Sequence, residues 1–226
     1  MKSGPCAPRR RGRPAKGDSP DGDRLLRAAA RAFADHGFDG ASLRGIAAAA
    51  DVDPALISYR YGGKEALWRA VIEDFAEEVE TTLAGAACPE APDRLARMVD
   101  ALAALSCRRP DLARLLIREA SGADEGERAD HIRATLTRPL HDRLAPLVAA
   151  AEAGRPAEAR ADPEVRLFAM LGAICMVLAT RRALAAFTEI AGDEARLRDE
   201  LLRSLRLPPC PGAPCPVEAP APLKET

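Results

Sequence analysis

Two short segments of the chain combine small and polar side chains with signals that begin helices. Ser42 precedes an apolar pattern that predicts a helix over residues 43–50, because a serine side chain can accept a hydrogen bond from a free amide of the first turn. Asp53 and Pro54 begin a third short helix over residues 54–60 in the same way. Two such helices, braced by a preceding one, form a helix-turn-helix, whose second helix enters the major groove of DNA. An ordinary helical hairpin is the alternative at this point.

The third helix offers groups that can contact bases and phosphates. Ile57 and Tyr61 are four residues apart, which predicts that both face the core. The residues that then face outward are Pro54, Ala55, Ser58 and Tyr59. Small residues allow close approach to a groove, and the polar ones can read base edges.

The first twenty residues form a basic segment that precedes these helices. They carry six basic side chains and one acidic one, a net charge of +5, whereas residues 21–80 carry seven basic and twelve acidic side chains, a net charge of −5. Arg10, Arg11 and Arg13 lie in an arm over residues 9–14, whose Arg-Gly-Arg-Pro core at 11–14 resembles an AT-hook, which lays arginines into an A·T-rich minor groove. We expect a disordered arm that binds the minor groove; a merely solvated segment is the alternative.

Composition excludes several classes of protein. The chain has 226 residues, 47% hydrophobic and 4% aromatic, with a net charge of −1. None of the six cysteines has the CxxC spacing of a zinc or redox site, and no N-terminal apolar stretch resembles a signal peptide. The apolar run over 167–180 is shorter than the roughly 20 residues that span a membrane. We expect a soluble cytoplasmic protein with reduced thiols, no metal, no cofactor and no membrane partner.

The hydrophobic periodicity predicts an all-α protein with about nine helices. A first helix from Asp21 or Asp23 to His36 ends at Gly37, and Lys64 begins a longer fourth helix. Further helical patterns cover residues 91–107, 110–121, 126–153, 163–190 and 193–206. We expect a basic arm at 1–20, a DNA-binding domain at 21–80, a helical domain at 81–207 and a disordered Pro-rich tail at 208–226.

The stretch LLRAAARAFADHGFDGASLRGIAAAADVDPALISYRYGGKEAL at residues 25–67 resembles the N-terminal domain of TetR-family transcriptional regulators. Asp51 stands where the family often has glycine, and Tyr61 replaces a commoner phenylalanine. Asp tolerates left-handed backbone angles better than most residues, so we expect modest strain and the same fold.

The resemblance implies a set of DNA-contacting residues. These are Ser42, Arg44, Pro54, Ala55, Leu56, Ser58, Tyr59, Arg60 and Lys64. Arg44 matches a position that contacts backbone or base, and Lys64 matches a lysine that grips phosphate. The alternatives are an intradomain salt bridge for Arg44 and a solvated surface charge for Lys64.

In this family the C-terminal part binds an effector and forms the dimer. The run over 168–178 is apolar all round, which indicates burial on several sides, either against a second subunit or as the central helix of a monomer. Residues 109–119 more weakly resemble the CecR-like subset. Candidate residues for an effector pocket are Met98, Leu102, Leu116, Leu136, Phe168 and Met176.

We therefore expect a homodimeric repressor that binds pseudo-palindromic double-stranded DNA and is released by a small-molecule effector. An activator or architectural DNA-binding protein without a ligand is the alternative. The sequence shows no nucleophile–base pair, metal cluster or phosphate-binding glycine loop, so we expect no enzyme activity.

Overall fold

The computed structural model describes residues 20–86, 93–121 and 126–207, and all regular structure within these ranges is helical. This confirms the predicted all-α class. The first four helices are α1 (Pro20–Gly40), α2 (Leu43–Ala50), α3 (Pro54–Tyr61) and α4 (Lys64–Ala86). Arg10, Arg11 and Arg13 of the predicted arm and the predicted tail at 208–226 lie outside the described residues.

Helices α1 to α3 pack around one apolar core with the first half of α4. Phe33, Ile46, Ile57 and Leu67 are all fully buried in it. The regular part of α1 stops at Gly37, whose φ of 73° and ψ of 174° leave the helical region. A residue without a Cβ adopts a positive φ at little cost, so glycine is suited to this stop, as the sequence predicted.

Seven further α-helices follow. They are α5 (Arg94–Arg108), α6 (Pro110–Ser121), α7 (Glu127–Ile132), α8 (Arg138–Ala153), α9 (Pro163–Ala179), α10 (Arg181–Leu184) and α11 (Glu194–Ser204). A π-helical stretch, Arg133–Thr137, joins α7 to α8, and single 3₁₀ turns lie at Ala157–Ala159 and Glu189–Gly192. Helix α4 runs through residue 80, where the sequence predicted a domain boundary, and so physically connects the head to these helices.

Two of the predicted helical patterns are divided in the structure, so the described residues contain eleven α-helical segments instead of about nine. The prediction of one helix over 163–190 is wrong. Helix α9 ends before Thr180, whose hydroxyl donates to the Met176 carbonyl at 2.6 Å, and a side chain bonded back onto its own helix in this way competes with continuation. Arg181 then donates from Nε to the Ala191 carbonyl at 2.8 Å, which holds the segment that follows.

A buried carboxylate joins α8 to α9. Glu152 is 2% exposed, and its Oε1 lies 2.7 Å from Nε of Arg166 and 3.3 Å from Nε of Arg155. Its Oε2 accepts a hydrogen bond from the Ala161 amide at 2.8 Å. A buried charge is tolerated when it is paired and hydrogen-bonded in this way, and the result fixes the direction in which α9 leaves the turn.

Across the described residues, no helix combines the length and apolar character needed to cross a membrane.

Candidate nucleic-acid interface

Helix α2 begins with the cap that the sequence predicted. The Oγ atom of Ser42 accepts a hydrogen bond from the Gly45 amide at 3.0 Å, and Ser42 itself is exposed. A hydroxyl that accepts in this way keeps its own proton for donation. Ser42 can therefore cap α2 and donate to a phosphate at the same time.

The turn between α2 and α3 contains the residue that departs from the family pattern. Asp51 adopts φ 54° and ψ 49°, the left-handed conformation that glycine commonly supplies. The Val52 amide donates to the Ala47 carbonyl at 3.0 Å and closes the turn. Asp53 then caps α3, since its Oδ1 accepts from the Ala55 amide at 2.7 Å. The predicted N-terminal caps of α2 and α3, Ser42 and Asp53, are confirmed. Asp51 is accommodated without a change of fold.

Helix α3 buries one face and leaves the other free. Ile57 is 0% and Tyr61 5% exposed, whereas Tyr59 is 80% exposed. Pro54, Ala55 and Ser58 are also exposed, and Leu56 is half-buried. The face that could enter a major groove is therefore open.

Arg60 is placed differently from the other predicted contacts of α3. It is half-buried, and its guanidinium lies against Gly22 in the first turn of α1. A Cβ atom on Gly22 would lie 2.9 Å from Nη1 of Arg60. Arg60 thus braces the end of α3 against the start of α1, and its contact with DNA stays a prediction.

Lys64 contacts neighbouring residues of the head, whereas Arg44 is exposed. Nζ of Lys64 donates to the Asp39 carbonyl at 3.0 Å and lies 4.9 Å from the centre of the Phe38 ring, so Lys64 is not simply a solvated charge. An ammonium group has three donors, which leaves capacity for a phosphate. Arg44 is exposed and forms no ion pair with any residue in the described ranges, which disfavours the salt-bridge alternative.

Two acidic side chains of α4 pair with an arginine of the second domain. Asp74 and Glu78 on α4 lie 3.7 Å and 2.6 Å from Nη1 of Arg109, at the turn between α5 and α6. Burial raises the pKa of Asp74, and the positive charge of Arg109 opposes that shift. This pairing reduces the repulsion that the head's net charge of −5 would exert on a phosphate backbone.

The residues predicted to line an effector pocket lie in two different environments. Met98, Leu102 and Leu136 are buried in the helical domain, and Leu116 is half-buried. Phe168 and Met176 are instead 58% and 51% exposed on the outer face of α9, so they do not share an interior site with Met98. The sequence showed that α9 is apolar all round but not which of its faces the same chain covers.

His131 and His141 have separate environments. His131 lies against Trp68, with ring centres 5.9 Å apart. His141 lies between Asp142 and Glu164, with Nε2 2.8 Å from Oε2 of Glu164. Within the ranges that the structure describes, no group of three His, Cys, Asp or Glu residues could hold a metal ion.

Sequence reasoning missed the surroundings of Phe38. A cleft of about 500 Å³ separates the end of α1 from α6 and α7, and Phe38, Arg118 and Arg128 line it. These residues are far apart in sequence and follow no shared periodicity, so only the fold brings them together.

A capped helix-turn-helix with an exposed face on its second helix is the arrangement found in helix-turn-helix DNA-binding proteins. Residues 25–71 match the family described as "Bacterial regulatory proteins, tetR family". The chain is 40% identical over 65 residues to the HTH-type transcriptional regulator YttP of Bacillus subtilis (strain 168). That alignment covers 29% of this chain and 31% of YttP.

Solved structures share the fold over most of the chain. A TetR-like transcriptional regulator from Rhodococcus sp. RHA1 has a TM-score of 0.59 at 22% identity, covering 82% of this chain and 96% of that one. The regulator FadR from Bacillus subtilis, solved in complex with stearoyl-CoA, has a TM-score of 0.54 at 16% identity, covering 79% and 96%. Residues 25–71 are thus similar to the DNA-binding part of the tetR family of bacterial regulatory proteins, and the chain spans about a third of the length of the curated relative it matches. The proteins that it matches are regulators rather than enzymes.

Proposed function

We propose that the protein is a homodimeric, sequence-specific DNA-binding repressor that a small-molecule effector releases from its operator. The observation that carries the proposal is the open face of α3, where Tyr59 is 80% exposed while Ile57 anchors the helix in the core. Pro54, Ala55 and Ser58 are also exposed. A base-reading helix needs this combination of a rigid inner face and an open outer face.

Dimerisation would use the outer face of α9. Val165, Phe168 and Met176 are 67%, 58% and 51% exposed, and their spacing of three and eight residues puts them on one side of a helix. Gly172, also exposed, lies between them and would allow close approach of a second helix. A two-fold axis through this face would present two copies of α3 to a pseudo-palindrome, as dimeric helix-turn-helix proteins require.

The basic arm would add the minor-groove contact. Arg10, Arg11 and Arg13 supply charge that the head, with its net charge of −5, lacks. Each neutralised phosphate releases counterions and steepens the dependence of affinity on salt. Deleting residues 1–16 should therefore weaken DNA binding and flatten its salt slope, measured by anisotropy titrations between about 50 and 200 mM salt. An unchanged slope in the truncated protein would rule this contact out.

The effector would bind within the helical domain, where Met98, Leu102, Leu116 and Leu136 remain the candidate lining. The similarity to FadR of Bacillus subtilis, whose structure contains stearoyl-CoA, suggests a long-chain acyl-CoA as the first probe. An effector that binds the free dimer more tightly than the DNA-bound dimer weakens DNA binding. The ratio of its two affinities sets the size of this effect.

Footprinting on the promoter region of the protein's own gene tests the proposal. We expect a short palindromic footprint that is lost when the effector is added, with stearoyl-CoA tested first and a small-molecule panel second. The variant Tyr59→Ala, whose side chain makes no core contribution, should lose the footprint while remaining folded. A footprint that no compound removes would favour the activator or architectural alternative. Absence of binding to any duplex at low salt would overturn the assignment.

A further inference from the structure

Arginines of the helical domain contact the last two turns of α1, on both sides of its kink at Gly37. Nη2 of Arg114 lies 3.3 Å from Oδ1 of Asp35, and Nη2 of Arg118 donates to the Asp35 carbonyl at 3.4 Å. Nη1 of Arg118 also lies against Gly37, 3.0 Å from where a Cβ atom would be. Helix α6 therefore contacts the chain where α1 ends.

Helix α7 contacts the next residue of the same turn. The guanidinium carbon of Arg128 lies 4.4 Å from the centre of the Phe38 ring, within the range of a cation–π interaction. Oε2 of Glu119 on α6 lies 3.7 Å from Nε of Arg128 and ties the two helices together. The other side of the connection is Phe33, whose ring stacks on Phe38 at 6.0 Å and belongs to the head core.

The same turn, residues 37–39, positions two predicted phosphate contacts. Nζ of Lys64 lies 4.9 Å from the Phe38 ring centre and donates to the Asp39 carbonyl. The Ala41 amide donates to the Gly37 carbonyl at 3.2 Å, which directs the chain into Ser42. The position of this turn thus decides where the hydroxyl of Ser42 and the ammonium of Lys64 point.

We propose that Arg118 and Arg128 are positioning residues for operator binding: by fixing the turn at residues 37–39, they set the phosphate-binding geometry of Ser42 and Lys64 from the helical domain. The inference rests on the DNA-binding part of the proposed function. It assigns neither arginine a contact with DNA. Holding the turn before DNA arrives removes an ordering cost from binding, so loss of the contact weakens affinity.

The arrangement also gives α6 and α7 a route to the head. Both arginines line the cleft of about 500 Å³ between the head and these helices, so a shift of either helix has space to change the contact. Helix α7 reaches the turn through the Phe38 ring, and α6 reaches it through the contacts of Arg118 with Asp35 and Gly37.

The test compares Phe38→Leu and Arg128→Leu with a matched control in the full-length protein. Arg133→Leu is that control. It also removes one positive charge close to Arg128 in sequence, but Arg133 is exposed and pairs with Asp130. Binding to the footprinted duplex is measured by anisotropy over a salt series, and folding by circular dichroism and thermal unfolding. We expect the two variants to lose about 3- to 10-fold in affinity, the range that cation–π energies imply, with the salt slope reduced by about one. Arg128→Lys, which keeps the cation, should recover part of the loss.

Affinity and salt slope equal to those of Arg133→Leu, or tighter binding, would overturn the proposal. If Phe38→Leu and Arg128→Leu fail to fold, the variant Arg118→Gln tests the proposal instead, because the Arg118 side chain is exposed and its replacement should leave the fold intact. Weaker DNA binding with a reduced salt slope supports the positioning role. Unchanged DNA binding refutes it. A wild-type protein that binds no duplex would instead defeat the proposed function, which separates the two failures.

Discussion

Replacing Phe168 with alanine should dissociate the proposed dimer without unfolding the subunit. Phe168 is 58% exposed and lies beside Val165 and Met176 on α9. A phenylalanine side chain carries about 200 Å² of apolar surface, so about 115 Å² would be covered in each protomer. At about 25 cal/mol per Å², this is worth about 3 kcal/mol per protomer.

The symmetry of a two-fold interface doubles this value, to about 6 kcal/mol for the dimer. Buried area does not convert fully into affinity, because association also costs side-chain and rigid-body freedom. Half of the value, about 3 kcal/mol, already corresponds to a rise of more than about 100-fold in the dimer Kd. We therefore expect at least that change.

Sedimentation equilibrium over a concentration series measures this constant directly, and circular dichroism checks that the monomer remains folded. Tyr59→Ala is the matched control, since it removes another exposed aromatic ring, 80% exposed, from the head. It should abolish operator binding and leave the dimer intact, whereas Phe168→Ala should make operator binding steeply dependent on protein concentration. A dimer Kd for Phe168→Ala within about threefold of wild type, which corresponds to less than about 1 kcal/mol, would refute the use of this face.

Three further predictions concern stability. Glu152→Ala leaves two guanidinium groups without their carboxylate partner and should lower the free energy of unfolding by about 3 kcal/mol. The Tm should then fall by roughly 6–12 °C. A fall of less than about 2 °C would contradict the structural role of this carboxylate. Asp53→Ala removes the cap of α3 and should cost about 1 kcal/mol in chemical unfolding, with no change expected if the side chain does not cap in solution. Hydrogen bonds to Asp142 and to Glu164 raise the pKa of His141 above 6.5, so its stabilising contribution is complete below that pH and is lost as pH rises through the folded pKa. An NMR titration should show the raised pKa and its decrease in Glu164→Gln, and an equal pKa in both proteins would refute the contact.

Local signals in the sequence determined the DNA-binding head. Ser42, Asp53 and Gly37 act through the backbone within three or four residues of themselves, so their roles as caps and as a stop could be predicted without knowledge of the rest of the chain. The inward positions Ile57 and Tyr61 follow from helical periodicity alone. The family resemblance extended over the same short region, and for this reason the DNA-contacting positions could be proposed before the fold was known.

Tertiary structure decided everything that depends on which surfaces meet. The apolar run over 168–178 predicted a helix buried on several sides. The exposure of Phe168 depends on which face of α9 the helices α6 and α8 leave uncovered. Arg60 and Lys64 look like free cations in the sequence, and only the fold places them against Gly22 and the Asp39 carbonyl. The turn that Arg128 holds is about ninety residues away from it along the chain. Contacts at such separations depend on the packing of whole helices, and local propensity carries no information about that packing.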